Sequence, residues 1–293
     1  MSEVIVSVNA RIHVDQRRWI IFVKACDKFI GFKLGAHIKM AKIRLHNQVC
    51  AFIDVLGGAN LFRGKERGRA ADFFACLEEF ERRMNGWSSH FPEKRQTRAL
   101  VKTFSDNIFA AFPLGSHPTM GDEQVVALFL DELTAQIHEL TLFAGFPVRG
   151  AVTAGPLMFS DRFLFGPALV EAVELEKVAL FPRVLLSQSV LRYIKPEGRY
   201  SSLALRDADG RVFLDYLGRK IFLESKLKWH RKFVQGGLTE NVSRVRERQK
   251  YEWLARYHNF HAMKNGMTDQ LIHIDLATAF APLDNNLSTP TEI

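Results

Sequence analysis

Cysteine is scarce in this sequence: Cys26, Cys50 and Cys76 are the three in 293 residues, and they lie too far apart for a CxxC pair. An odd count with wide spacing fits a reducing compartment better than a disulfide framework. Long apolar runs are missing as well. The longest near the N-terminus, Trp19-Ile20-Ile21-Phe22-Val23, falls far short of the ~18 residues a membrane span needs. The expectation is a cytoplasmic protein with no membrane partner. With 10 prolines, 19 glycines and 47% hydrophobic residues, the composition excludes collagen-like and disordered chains and leaves an ordinary globular protein. GxxxxGK[ST], HExxH, GxGxxG and GxSxG are all absent, so phosphate-loop, zincin, dinucleotide-binding and lipase-type chemistry lose their sequence support.

Charge is present but peripheral. Of the net +8, residues 1–45 carry +6 and residues 217–250 carry +7, leaving −5 for the rest of the chain. Basic runs of this kind are more often solvated helix faces than recognition surfaces, and the stretch KLKWHRK at 226–232 reads first as an amphipathic surface helix. No nucleic-acid partner is expected. The histidines His46, His90, His117 and His138 have no ligand-like spacing and read as structural or exposed.

From residue 46 the pattern alternates between short apolar runs and amphipathic stretches. Residues 49–55 (VCAFIDV) read as a buried strand ended by Gly57-Gly58, and residues 70–84 as a helix with Phe73, Phe74, Leu77 and Phe80 on one face. Residues 100–104 and 108–112 flank Ser105-Asp106-Asn107 as a hairpin. A helix over 122–143 and a strand over 148–154 follow, with Gly155-Pro156 read as a break. A returning strand is expected at 163–165, a helix at 167–178 opened by Pro167, and a closing strand at 183–186. Hairpins mixed with crossover helices argue for an α+β, ferredoxin-like palm. The expected organisation is an uncertain segment at 1–45, dispensable for chemistry, and a catalytic core at 46–190. A hairpin and helical extension at 191–282 and a polar tail at 283–293 complete it.

Within this frame one residue is out of place. Asp54 is an acid inside an apolar strand, and a carboxylate there needs a partner or a cation. Asp106 lies at the hairpin tip, where a turn aspartate alone is unremarkable. If the hairpin lies beside the first strand, the two carboxylates meet at one end of the sheet. Together with a strand-end carbonyl such as that of Val55 they suit Mg²⁺ or Mn²⁺, hard cations that keep water and substrate phosphate as remaining ligands.

These residues also carry a family resemblance. Phe52-Ile53-Asp54-Val55-Leu56-Gly57 resembles the first metal motif of the class III nucleotidyl cyclases, and Lys102-Thr103-Phe104-Ser105-Asp106 resembles their second. Arg149 to Pro156 looks like their following strand, and the run from Phe165 to Glu176 resembles the aromatic-glycine start of their next helix. The adenine-reading aspartate of the adenylyl cyclases is replaced here by Phe163, and their transition-state asparagine and arginine by Val170 and Glu174. The helix run, Phe181-Pro182-Arg183-Val184 and the late Lys250-Tyr251-Glu252-Trp253-Leu254 are similar to the bacterial pyrimidine cyclases of the Pycsar antiphage defence system.

That resemblance implies a homodimeric uridylate cyclase. It would make 3′,5′-cyclic UMP and pyrophosphate from UTP as a second messenger for a separate effector. A cytidylate or adenylate cyclase, a catalytically silent nucleotide-binding module and a palm-type nucleotidyltransferase acting on nucleic acid are the alternatives. Two divalent ions per site would be held by Asp54, Val55 and Asp106. Phe52, Leu56, Gly57, Gly58, Lys102, Arg149, Arg162 and Phe163 would bind substrate, with Leu56 to Gly58 cradling phosphate through backbone amides.

Overall fold

The structure is a computed structural model that describes residues 11–15, 20–24, 43–58, 67–88, 100–159, 163–194, 200–218, 223–274 and 281–282. Three strands, β1 (Arg11–Asp15), β2 (Ile20–Lys24) and β3 (Ile43–Arg44), form a small antiparallel sheet. The polar tail at 283–293 and most of residues 1–45 lie outside the described residues.

The main sheet is built on β4 (His46–Val55). After it come α1 (Arg67–Ser88), β5 (Leu100–Phe104), β6 (Asn107–Pro113), α2 (Asp122–His138) and β7 (Val148–Phe159). That is the β-α-β-β-α-β order of a ferredoxin-like palm, and the strands lie side by side as β7-β4-β6-β5, all antiparallel. The α+β palm expected from the sequence is therefore present. Beyond β7 the sheet continues through β9 (Val184–Leu186), which runs parallel to it, to the late hairpin of β10 (Ala204–Arg206) and β11 (Val212–Leu214), and ends on β12 (Ala281–Pro282).

Alternation along β4 decides where the core sits. Val49, Ala51, Ile53 and Val55 are fully buried on the face covered by α1 and α2, which contribute Phe73, Phe80, Phe129, Leu133 and Ile137. Cys50 and Phe52 point the other way, where a smaller apolar cluster meets α3 (Pro167–Val178) through Ala168. The backbone is α-helical through His138, and the turn that follows, Glu139–Phe143, widens to a π-helix. This replaces the single helix over 122–143 read from the apolar spacing.

One strand is longer than expected. Gly155-Pro156 does not break β7, which pairs with β4 through Leu157 and with β8 (Leu164–Phe165) at its far end. Pro156 is tolerated because β9 pairs only with Gly150 to Val152, so no ladder bond to β9 calls for the missing N–H.

After β9 and the one-turn helix α4 (Gln188–Leu191), the C-terminal helices α5 (Leu223–Glu240) and α6 (Val245–Lys264) dock on the late hairpin through buried polar groups. Arg183, fully buried, pairs with Asp207 and Asp209, and the Trp253 indole donates to Asp207 at 2.8 Å. The stretch 226–232 lies on α5, with Leu227 and His230 inward and Trp229 half exposed, as an amphipathic surface helix requires. A directed chain then joins the two helices. The Gln270 carbonyl only accepts, so His258 carries its proton on Nε2 (2.8 Å). His258 Nδ1 accepts from His230 Nδ1 (3.3 Å), and His230 Nε2 accepts from the Tyr216 hydroxyl (2.8 Å). Among the described residues no helix is long and apolar enough to cross a membrane.

Candidate active site

Register sets the site. Residues directly opposite in neighbouring strands share a face, so Asp54 on β4 stands in one row with Arg149 on β7, Asn107 on β6 and Phe104 on β5. The next row on that face holds Ala151, Phe52, Phe109 and Lys102. Phe52 and Phe104 touch, with ring centroids 6.1 Å apart, and Phe104 is 49% exposed. The same face carries Cys50, whose thiol is pushed up to about 12 by burial against the pull of its hydrogen bond to Thr153. It supplies no thiolate.

Asp54 is not left bare. Arg149 Nη2 donates to its Oδ2 at 2.7 Å, and the same guanidinium reaches Glu176 of α3, with Nε 2.7 Å from Oε1. Side-chain exposure falls along the triad from 27% for Arg149 through 20% for Asp54 to 9% for Glu176. Burial pushes the Glu176 carboxyl above its usual range, Arg149 pulls it back and Asp54 adds to the rise. Glu176 escapes the sequence reading. Its signal is a stripe at four-residue spacing, Ala168, Ala172 and Glu176, all buried on α3, in which the acid stands where a small apolar residue would.

Asp106 comes to the same end of the sheet. Its carbonyl accepts from Val55 N at 2.9 Å, and Asn107 Nδ2 approaches its Oδ1 at 3.4 Å. Ser105 takes φ 57° in the hairpin tip. The chain leaving β4 is pressed against that tip: Gly57 has φ +87°, and a Cβ on Gly58 would lie 2.6 Å from Asp106 Cβ, so only glycine fits there. Leu56 N is committed to the Pro147 carbonyl at 2.9 Å, which removes it from a phosphate cradle and leaves Gly57 and Gly58 for that role.

This donor set fits a hard divalent cation. Asp54, Asp106 and the Val55 carbonyl offer oxygen atoms at one sheet end, held together by the Val55–Asp106 hydrogen bond and the Gly58 contact. Among the described residues no group of three or more His, Cys, Asp or Glu is placed to hold a metal ion, so any cation here rests on two carboxylates and backbone oxygen. Mg²⁺ and Mn²⁺, which retain water and substrate oxygens, match two carboxylates and a carbonyl.

The remaining expected residues are spread out. Lys102 is half-buried on Asp54's face, two strands away and about 10 Å at ~4.8 Å per strand. Phe163 is 59% exposed just before β8, at the far end of β7 from Arg149. The intervening stretch of strand spans about 30 Å, so one chain does not bring Phe163 to Asp54. Arg162 lies outside the described residues. Two cavities, of about 660 and 390 Å³, run along α5 beside Lys232 and Gly236, and neither is lined by Asp54 or Asp106.

No known protein-family model matches the chain, and no curated protein matches it in sequence. Solved structures similar to it include the adenylyl cyclase CyaB from P. aeruginosa, at 14% identity and a TM-score of 0.41, covering 58% of this chain and 94% of that one. The catalytic core of a rhodopsin-guanylyl cyclase with converted specificity, in complex with ATPαS, has 14% identity and a TM-score of 0.42, with coverage of 58% and 95%. A bacterial light-regulated adenylyl cyclase has 13% identity and a TM-score of 0.36, with coverage of 65% and 57%.

Proposed function

We propose that this chain is a metal-dependent nucleotide cyclase that turns UTP into 3′,5′-cyclic UMP and pyrophosphate. The observation that carries the reading is the pairing of Asp54 and Asp106 at one end of a half-open sheet face, with the Gly57-Gly58 turn packed against Asp106. Divalent cations at these carboxylates would acidify the ribose 3′-hydroxyl and neutralise the triphosphate. In the reaction the O3′–Pα bond forms as the bond from Pα to the bridging oxygen breaks, the hydroxyl proton passes to solvent, and pyrophosphate leaves in line.

The chain's own residues divide the remaining work. Asp54, Asp106 and the Val55 carbonyl hold the ions, Gly57 and Gly58 admit phosphate to the backbone, and Arg149 meets charge on the phosphates. Lys102 is a pure donor on the same face; uracil offers O2 and O4 as acceptors, whereas cytosine puts an amino donor in place of O4. A homodimer completes the site: Phe163 and Lys102 of one copy face Asp54 and Asp106 of the other, which accounts for the long distance between Phe163 and Asp54 within one chain. The cyclic product would signal to a separate effector in phage defence.

A second reading, nucleotide binding without turnover, is favoured by one observation. Val170 and Glu174, which stand where the adenylyl cyclases carry their transition-state asparagine and arginine, are exposed on α3 and supply neither an amide nor a guanidinium. Purified protein incubated with all four nucleoside triphosphates and each metal, with products identified by mass spectrometry, separates the two. Cyclic UMP with Mn²⁺ or Mg²⁺ supports the cyclase; nucleotide binding without any cyclic product supports the module.

A further inference from the structure

Arg149 is the one cation seated on Asp54 among the described ion pairs, and it has a second seat. Its Nη2 end lies on Asp54 and its Nε side on Glu176, each at 2.7 Å, so the guanidinium bridges a strand-end carboxylate and a helix carboxylate. Two acids, Asp54 and Glu176, thus share one cation. A cation ligated by Asp54 must share that carboxylate with a guanidinium that is already hydrogen-bonded to it. Two unit positive charges about 4 Å apart repel by about 4 kcal/mol where the effective dielectric is near 20, and a divalent ion doubles that.

We propose that Arg149 is an internal counter-ion which a divalent cation displaces from Asp54, and that Glu176 is the positioning residue that receives the displaced guanidinium. Glu176 is suited to the task because α3 holds it 9% exposed and already in contact with the guanidinium at Nε, beside the Nη2 that meets Asp54. With Arg149 drawn onto Glu176, Asp54 turns both oxygens to the cation and the guanidinium remains beside the phosphates. The inference rests on the cation site of the reading above but not on cyclisation.

The test is Mn²⁺ binding to the full chain without nucleotide, read as loss of the free-ion paramagnetic resonance signal and by calorimetry, with melting temperature as the control for folding. Arg149→Gln removes the competitor and should tighten binding about tenfold; Glu176→Gln leaves Arg149 with Asp54 alone and should weaken it several-fold. In the double variant the Glu176 effect should vanish, because Glu176 acts through Arg149. Unchanged or weaker binding in a folded Arg149→Gln variant overturns the proposal, as does an undiminished Glu176 effect in the double variant or no Mn²⁺ uptake by any of the proteins. Nucleotide turnover is assayed separately: the expected affinity order without any cyclic product retires the cyclase and keeps the counter-ion, whereas turnover with the wrong order does the reverse.

Discussion

The two faces of the central sheet are made by alternate residues of the same strand, yet they differ in almost every physical respect. Val49, Ala51, Ile53 and Val55 lie under α1 and α2 in a continuous apolar layer, whereas Phe52 and Asp54 lie on a face where α3 covers only the β7 and β4 side. On the covered face, burial and packing do the work. On the other face a carboxylate, a guanidinium and an exposed Phe104 sit on a rigid platform that the first face holds still. A site built this way is placed by the core without being part of it.

Adjacent residues give the sharpest way to break the contrast. Asp54→Ala and Asp106→Ala should each abolish nucleotide turnover while leaving the melting temperature close to wild type. Ile53→Ala, one position away and fully buried, should cost about 2–5 kcal/mol of stability. Thermal melts and product assays on the three variants check this, and an Asp54→Ala chain that still cyclises UTP would contradict the assignment.

Charges obey the same division. Arg183, with 0% side-chain exposure, neutralises Asp207 and Asp209 beneath α6, so Arg183→Met should cost about 3–5 kcal/mol by leaving the buried Asp207 without its cation. Arg149, 27% exposed on the open face, should cost far less when replaced. Equal losses in denaturant titrations would erase the distinction between the faces.

A smaller effect should appear with pH. Burial pushes His258 down to about 4 and His230 well below its ordinary value, His258 adding to the latter shift, so both rings are neutral in the folded chain. An unfolded chain takes up these protons near pH 6.5, so the stabilisation is complete above that value and is lost as pH falls toward about 4. For His258 alone this amounts to about 3 kcal/mol. Denaturant midpoints that stay flat between pH 7 and pH 5 would show that the buried rings titrate normally.

What the sequence makes legible follows the range of the interactions. The palm is readable because period-two and period-3.6 patterns are local, and the helix at 167–178 starts where Pro167 says it should. Asp54 is readable because an acid in an apolar strand is a local contradiction. Pro156 misleads because its tolerance depends on where β9 stops, a distant fact. Glu176 and the His230–His258 pair are invisible for the same reason: their partners lie 27 residues away on β7 and 28 residues away on α6, and no spacing encodes that meeting. The π-turn at Glu139–Phe143 likewise shares its residue pattern with an ordinary helix.

The proposed site is shared between the open faces of two copies, with the carboxylates from one chain and the base-reading groups from the other. Mixing an Asp54→Ala chain with a Lys102→Ala chain tests it most directly, with subunit exchange verified by mass. Each variant alone should be inactive with UTP and Mn²⁺, and the mixture should recover about a quarter of the wild-type sites, since half the dimers are mixed and each has one intact site. No recovery in a mixture shown to exchange subunits would contradict a shared site.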